Sequence, residues 1–296
     1  MSETSDNEYD YAALRLGFWW QGSRPVGILF VHELGSTPEG VGVLAEALHQ
    51  QGFWTAAPVL PGHEGLLDPA GLGDLDTDAH VACLRKWQDA LTPQVSTVVI
   101  VGCGLGGSLA LAAAQQYGAD GVITVSTPAQ SFARRRLRVS AARLFVGDVA
   151  GIGPDVKNAA ASEASFERIP LAAFDRLIEI ERAGLAAARG IDVPVLAMHA
   201  REDHIVASRD ATELFESLST RDKELAWLEH SYHRAWIDHD RDLLADRIGG
   251  FAAALESRAG RPAASTEPGG EHAVTWEILS RYGHGDPLDS NSGTAR

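Results

Sequence analysis

The run Val95-Ser96-Thr97-Val98-Val99-Ile100-Val101 constrains the fold more than any other part of the chain. Its apolar residues are nearly continuous rather than alternating, which suits a strand covered on both faces. The same character marks residues 25–31, 53–58, 121–125, 193–199 and 224–228. Between these runs, 37–51, 81–91, 105–117 and 238–255 have helical period. In the first of them Val41, Leu44, Ala45 and Leu48 share one face. Pro38 falls in its first turn, where a missing N–H costs nothing, and Gly118 stands at the C-cap of the third. Strands alternating with helices predict an α/β fold, a mostly parallel, doubly wound sheet. Such sheets bind ligands at the carboxyl ends of their strands, so candidate chemistry is sought there.

The 296 residues suit one or two domains, and 45% hydrophobic content supplies a core without disulfide or metal staples. A formal net charge of −15 argues against nucleic acid as a partner, because such a surface repels phosphate backbones. No apolar run is long enough to span a bilayer, and the acidic start MSETSDNEYDY has no signal-like apolar stretch. Cys83 and Cys103 make neither a disulfide framework nor a zinc pattern, so no metal and no cofactor is expected and the expected location is cytoplasmic. The expected organisation is a flexible segment 1–13, one domain over 14–257 and a disordered Gly/Pro/Ser/Thr-rich tail over 258–296. Within the tail, 273–282 has the pattern of a short docking helix. Residues 129–190 hold no strand pattern and are expected to form a helical lid inserted over the sheet's carboxyl edge.

Five motifs fall in order at strand ends: Val31-His32-Glu33-Leu34-Gly35-Ser36-Thr37-Pro38, Leu60-Pro61-Gly62-His63-Glu64-Gly65, Val101-Gly102-Cys103-Gly104-Leu105-Gly106-Gly107, His199-Ala200-Arg201-Glu202-Asp203 and Ser231-Tyr232-His233. Together, over roughly 14–257, they resemble the α/β-hydrolase superfamily, most closely its bacterial carboxylesterase and monoacylglycerol lipase group. The resemblance implies a nucleophile elbow at 102–106, an acid at Asp203, a histidine at His233 and oxyanion donors at the Leu34 and Leu105 N–H groups. His32 and His63 are then scaffold residues bracing their loops.

Two positions depart from the pattern. The elbow motif Gly-x-Ser-x-Gly places its serine at 104, where this chain has Gly104, so no acyl-serine can form there. Related enzymes usually have glycine where this chain has Glu33; a carboxylate aimed at the oxyanion would oppose it, whereas one aimed away would not. Cys103 is one place early for the elbow and reads as a small buried hydrophobe or, alternatively, a pocket residue. Ser108, a turn further on, packs or caps. Restoring serine at 104 is expected to raise esterase activity if the remaining machinery is intact.

The glycines at 102, 104 and 107 also fit a dinucleotide fingerprint. However, the next strand ends without the acidic residue that fingerprint needs, and two strand–helix pairs precede it. His230 and His239 near His233 make no metal pattern.

With no nucleophile, His233 held by Asp203 reads as a general base whose second nitrogen faces the pocket. Superfamily members such as cofactor-free dioxygenases and hydroxynitrile lyases use their histidine in this way. The leading expectation is proton transfer, elimination, cyclisation or isomerisation of a small molecule. The alternatives are a carboxylesterase- or thioesterase-like hydrolase with His-activated water, and a non-catalytic binding protein. Arg134, Arg135, Arg136, Arg138 and Arg143 concentrate positive charge in the insertion. They either hold an anionic or carrier-bound substrate (coenzyme A, an acidic carrier protein) or form a solvated face paired with acids elsewhere. Phe132, Leu137, Leu144, Phe145, Phe166 and Phe174 either line a pocket beneath the lid or form the lid's own core.

Overall fold

The computed structural model describes residues 11–63, 76–142, 146–151, 153 and 155–259. Seven strands form one sheet: β1 (Phe18–Trp20), β2 (Val26–Val31), β3 (Trp54–Ala57), β4 (Thr97–Cys103), β5 (Gly121–Val125), β8 (Val195–Ala200) and β9 (Lys223–Leu228), in the spatial order β1-β3-β2-β4-β5-β8-β9. All neighbours are parallel except β1, which pairs antiparallel with β3. The continuous apolar runs follow from this: side chains alternate between faces, and both faces are core.

Helices α1 (Glu39–Gln50) and α7 (Arg241–Ala259) cover one face, packing on Ile28, Phe30, Val99, Val101 and Met198. Helices α2 (Thr77–Leu91), α3 (Leu105–Tyr117), α5 (Phe174–Ala188) and α6 (Ser208–Ser217) cover the other, over Val31, Ile100, Val122 and Val195. Trp19 packs edge-on to Trp54 and against Trp87 near one margin of the sheet.

The insertion differs from the expected strandless lid. It contains β6 (Asp148–Ala150) and β7 (Arg168–Pro170), a two-stranded antiparallel pair. Three-residue, largely exposed strands leave no periodicity to read. Helix α5 is part of the covering layer itself: it lies so close to α3 that a Cβ on Gly184 would come within 2.4 Å of Ser108. Helix α4 (Ser131–Ala142) is fastened by two buried acids. Asp210 accepts from the N–H groups of Ala129, Gln130 and Ser131, and Glu181 from those of Phe132 and Ala133. These are the donors a helix start leaves unpaired, and the acids suit the positive end of its dipole.

At the N-terminal side, Tyr11–Leu16 forms a 3-10 helix that overlaps the last three residues of the segment expected to be flexible, and α7 runs two residues into the expected tail. The rest of that tail, with the 273–282 helix, lies outside the described residues. No helix among the described residues is long and apolar enough to cross a membrane.

Candidate active site

Four strand ends deliver the site, two on either side of β5. β2 leads into Glu33, β4 into Gly104, β8 into Asp203 and β9 into His233. Because all four strands are parallel, their following loops meet on one edge.

The turn after β4 is sharp. Gly104 has φ 55° and ψ −127°, a backbone that side-chain-bearing residues rarely adopt, and α3 starts at the next residue. Gly106 in the first turn of α3 runs against the end of β2, where a Cβ would meet the Val31 and His32 carbonyls at 2.4 and 2.5 Å. Gly102 and Gly107 are as confined, a Cβ there meeting the Gly106 carbonyl at 2.3 Å and the Thr127 hydroxyl at 1.9 Å, so close packing accounts for the glycines of this motif without a bound dinucleotide.

His233 donates from Nδ1 to Asp203 Oδ2 at 2.8 Å and from Nε2 to Glu33 Oε2 at 3.1 Å. All three side chains are almost wholly buried. With a carboxylate at each ring nitrogen, both nitrogens act as donors, which makes the ring an imidazolium. Burial alone would lower the His233 pKa, but Asp203 and then Glu33 outweigh it and push it up to about 10. Burial likewise works to raise the Asp203 carboxyl, yet His233 and His199 draw it below the usual range, helped by the Val206 N–H. The Ile205 and Val206 N–H groups donate to its other oxygen at 2.8 and 2.7 Å.

Glu33 therefore answers the question its sequence left open: its side chain points into the site. Its Oε1 accepts from the Leu105 N–H at 3.4 Å, one of the two expected oxyanion donors. Its Oε2 lies 1.3 Å from where a Cβ on Gly104 would be. The carboxylate fills the space that a side chain on residue 104 would need. The expectation that Nε2 of His233 faces an open pocket is corrected accordingly: it faces Glu33, and His233 is 1% exposed. Leu34, the other expected donor residue, is buried in the same loop.

The backbone that aims Glu33 is braced from several sides. Its carbonyl accepts from His32 Nδ1 at 2.9 Å and from the Ser36 N–H at 3.1 Å. His32 Nε2 accepts from the Leu60 N–H, and His63 Nε2 accepts from the Gly35 N–H. Both rings are spent on the scaffold, and burial holds both in the neutral form, with the His63 pKa brought down to about 4. Glu64 and Gly65 of that motif lie outside the described residues.

Sequence reading missed a second buried group beside His233. Arg234 pairs with Glu163, and Glu163 also accepts from Trp236 Nε1 at 3.0 Å and from the Ser36 hydroxyl at 3.1 Å. Asp155 accepts from the His233 N–H at 3.1 Å and from His204 Nδ1 at 2.9 Å. Arg234 directly follows the histidine, but no motif marks an arginine as buried. Glu163 and Asp155 come from the insertion, whose sequence shows no register against the sheet. Ser126, at the end of β5, is the one non-glycine described residue at positive φ (49°), and its buried hydroxyl lacks a hydrogen-bond partner.

The other expected site residues are placed elsewhere. Cys103 is sealed in the core under α1 and α7, and burial and Glu33 push its thiol well up, so it lines no pocket and offers no thiolate. The anion-binding reading of Arg134 is corrected: it is engaged with Asp210 at 2.6 Å and with Glu213. Arg135 donates to the Ile205 carbonyl at 2.7 Å. The side chains of Arg136 and Arg138, and Arg143 entirely, lie outside the described residues. Phe132 and Phe174 meet edge to face inside the core beneath α5, and Phe166 is buried with them, which settles them as packing. Leu137, Leu144 and Phe145 are outside the described side chains. Among the described residues no group of three or more His, Cys, Asp or Glu is arranged to hold a metal ion.

A mostly parallel sheet, a glycine turn after its central strand, and an acid and a histidine after the last two strands together define an α/β-hydrolase-fold protein. The comparisons agree on this fold, and the chain is similar to proteins of the α/β-hydrolase superfamily. The family model described as serine aminopeptidase, S33, matches residues 154–240. A thermostable monoacylglycerol lipase of Bacillus sp. (strain H-257) is 28% identical over 231 residues, covering 75% of this chain and 88% of the lipase. A carboxylesterase of Bacillus subtilis (strain 168) is 22% identical over 243 residues, covering 77% and 93%. The structure of a metagenome-derived lipolytic enzyme from work on LipS and LipT superposes with a TM-score of 0.75 at 24% identity, covering 81% of this chain and 98% of that one.

Proposed function

We propose that this chain is an α/β-hydrolase-fold enzyme with no acyl-serine step, in which His233 and Asp203 move a proton on a small-molecule substrate. The reaction class is proton abstraction, elimination, cyclisation or isomerisation. One observation carries the reading: His233 is bonded to Asp203 and Glu33 directly over a turn whose residue, Gly104, brings no side chain. The charge state refines the role expected from sequence. An imidazolium between two carboxylates enters the cycle as a proton donor, and it becomes a base only after Nε2 has given up its proton.

A second reading, ester hydrolysis with His233 activating water, is favoured by the lipase and carboxylesterase relatives. Two assays on the same preparation separate the readings. Exchange of α-hydrogens of simple ketones in D2O, followed by proton NMR, is expected for the wild type and lost in His233→Gln. Turnover of p-nitrophenyl acetate and butyrate that disappears in His233→Gln, with no exchange, would replace the first reading by the second. His233-independent behaviour in both assays would remove both.

A further inference from the structure

We infer that Glu33 is the proton-accepting catalytic carboxylate of this site, delivered from the β2–α1 loop into the space that a side chain on residue 104 would fill, and that it serves carbonyl compounds bearing an acidic α-hydrogen. This rests on the proposed proton-transfer reading and names its base and substrate class.

Three observations converge on it. The Glu33 oxygen Oε2 takes the position where the residue at the β4–α3 turn would carry its reacting group, 1.3 Å from an ideal Cβ. The same carboxylate collects both donors of the site, His233 Nε2 on one oxygen and the Leu105 N–H on the other. Its backbone is fixed by His32 and Ser36 rather than left to wander.

The chemistry follows from where the charge goes. When Glu33 takes a proton, its negative charge disappears, and its hold on His233 Nε2–H and Leu105 N–H weakens. Both donors are then free for an oxygen on which charge is developing. A substrate matches this if loss of its proton places the electron pair on a nearby oxygen, as in a ketone. The C–H bond breaks, its pair becomes the enolate, and the proton forms an O–H bond on Glu33. His233 donates Nε2–H to the enolate oxygen, as a hydrogen bond or by full transfer, while Asp203 holds Nδ1–H. Return of the proton from Glu33 to carbon, the same atom or its neighbour, and of any proton on the enol oxygen to His233 Nε2, closes the cycle with no oxidant, reductant or co-reactant. The groups facing His233 are Asp203 and His199 from the β8 side, Glu33 from the β2 loop, Asp155 from the insertion and Arg234 from its own loop.

The test has two arms. In the first, α-hydrogen exchange of hydroxyacetone and phenylacetone in D2O at neutral pH is measured for wild type, Glu33→Gln and His233→Gln. Glu33→Gln keeps the shape of the side chain and removes its basicity, and exchange is expected to fall at least about 100-fold. Exchange within about tenfold of wild type in Glu33→Gln, still dependent on His233, overturns the assignment of Glu33 while the proton-transfer reading stands. Absence of exchange of both ketones by wild type overturns the substrate class. The second arm tests placement without any substrate: an alkyl fluorophosphonate is offered to Gly104→Ser and to Glu33→Gly/Gly104→Ser, and labelling is read by intact mass. Labelling is expected only in the double variant. Labelling of Gly104→Ser alone, or none in a folded double variant, overturns the shared-space argument. Should the double variant not fold, the His233 ring is titrated by nitrogen-15 NMR in wild type and Glu33→Gln. A lower titration midpoint in Glu33→Gln is expected, and an unchanged one overturns the proposal.

Discussion

Gly104 and Glu33 are coupled through a single volume. A hydroxymethyl group on residue 104 must displace the Glu33 carboxylate, and the displaced carboxylate leaves a buried imidazolium short of one partner. Breaking a buried ion pair in this way costs about 3 kcal/mol or more. Gly104→Ser alone is therefore expected to lower unfolding free energy by that order in a denaturant titration and to gain no esterase activity. The expectation from sequence made any gain conditional on the remaining machinery, and the Glu33 carboxylate in that space is the reason none is expected. The sequence shows both unusual residues, and the family pattern places each at its loop. What it does not carry is the direction of one side chain, because three rotatable bonds separate the Glu33 backbone from its carboxylate. The meeting of Asp203 with His233 was legible because strand order brings the ends of β8 and β9 to one edge. Arg234, Glu163 and Asp155 were not, because burial of a charge is a property of the assembled fold.

Helix α4 depends on acids from other elements. Asp210→Ala removes the acceptor for three N–H groups at its start and the partner of Arg134. A loss of about 2–4 kcal/mol is expected, with faster amide exchange confined first to residues 129–134, measured by hydrogen–deuterium exchange. Helix α3 makes the opposite kind of demand. Gly106→Ala drives a methyl into the Val31 and His32 carbonyls and is expected to cost about 2–3 kcal/mol by thermal or chemical unfolding. The six parallel strands of the central sheet were legible within one or two residues at most ends because buried strands leave continuous apolar runs. Helix α6 was not: its segment Ser-Arg-Asp-Ala-Thr-Glu-Leu-Phe-Glu-Ser buries only Asp210, Ala211 and Leu214. β6 and β7 were too short and too exposed to leave a signal.

For the whole molecule, two sets of buried histidines set opposing limits on stability. His233 is raised from 6.5 to about 10 in the folded chain, so its contribution is complete below pH 6.5 and is lost as pH climbs through 10. His63 is lowered to about 4, so its contribution is complete above pH 6.5 and is lost as pH falls through 4. The melting temperature is expected to peak near neutral to slightly acidic pH and to fall on both sides. In Glu33→Gln the alkaline fall is expected to become shallower while the acid limb stays in place, a difference read directly from Tm against pH. The same residues also carry a message about time. Glu33 and His233 are 200 positions apart, and the loop that brings the histidine follows the last strand of the sheet. During synthesis or refolding, the β2 loop is ready long before its counter-charge arrives, and closing the core there first would strand an ionised carboxylate away from water. That edge of the sheet is therefore expected to close only after β9 has docked, because until then the Glu33 carboxylate has no buried counter-charge.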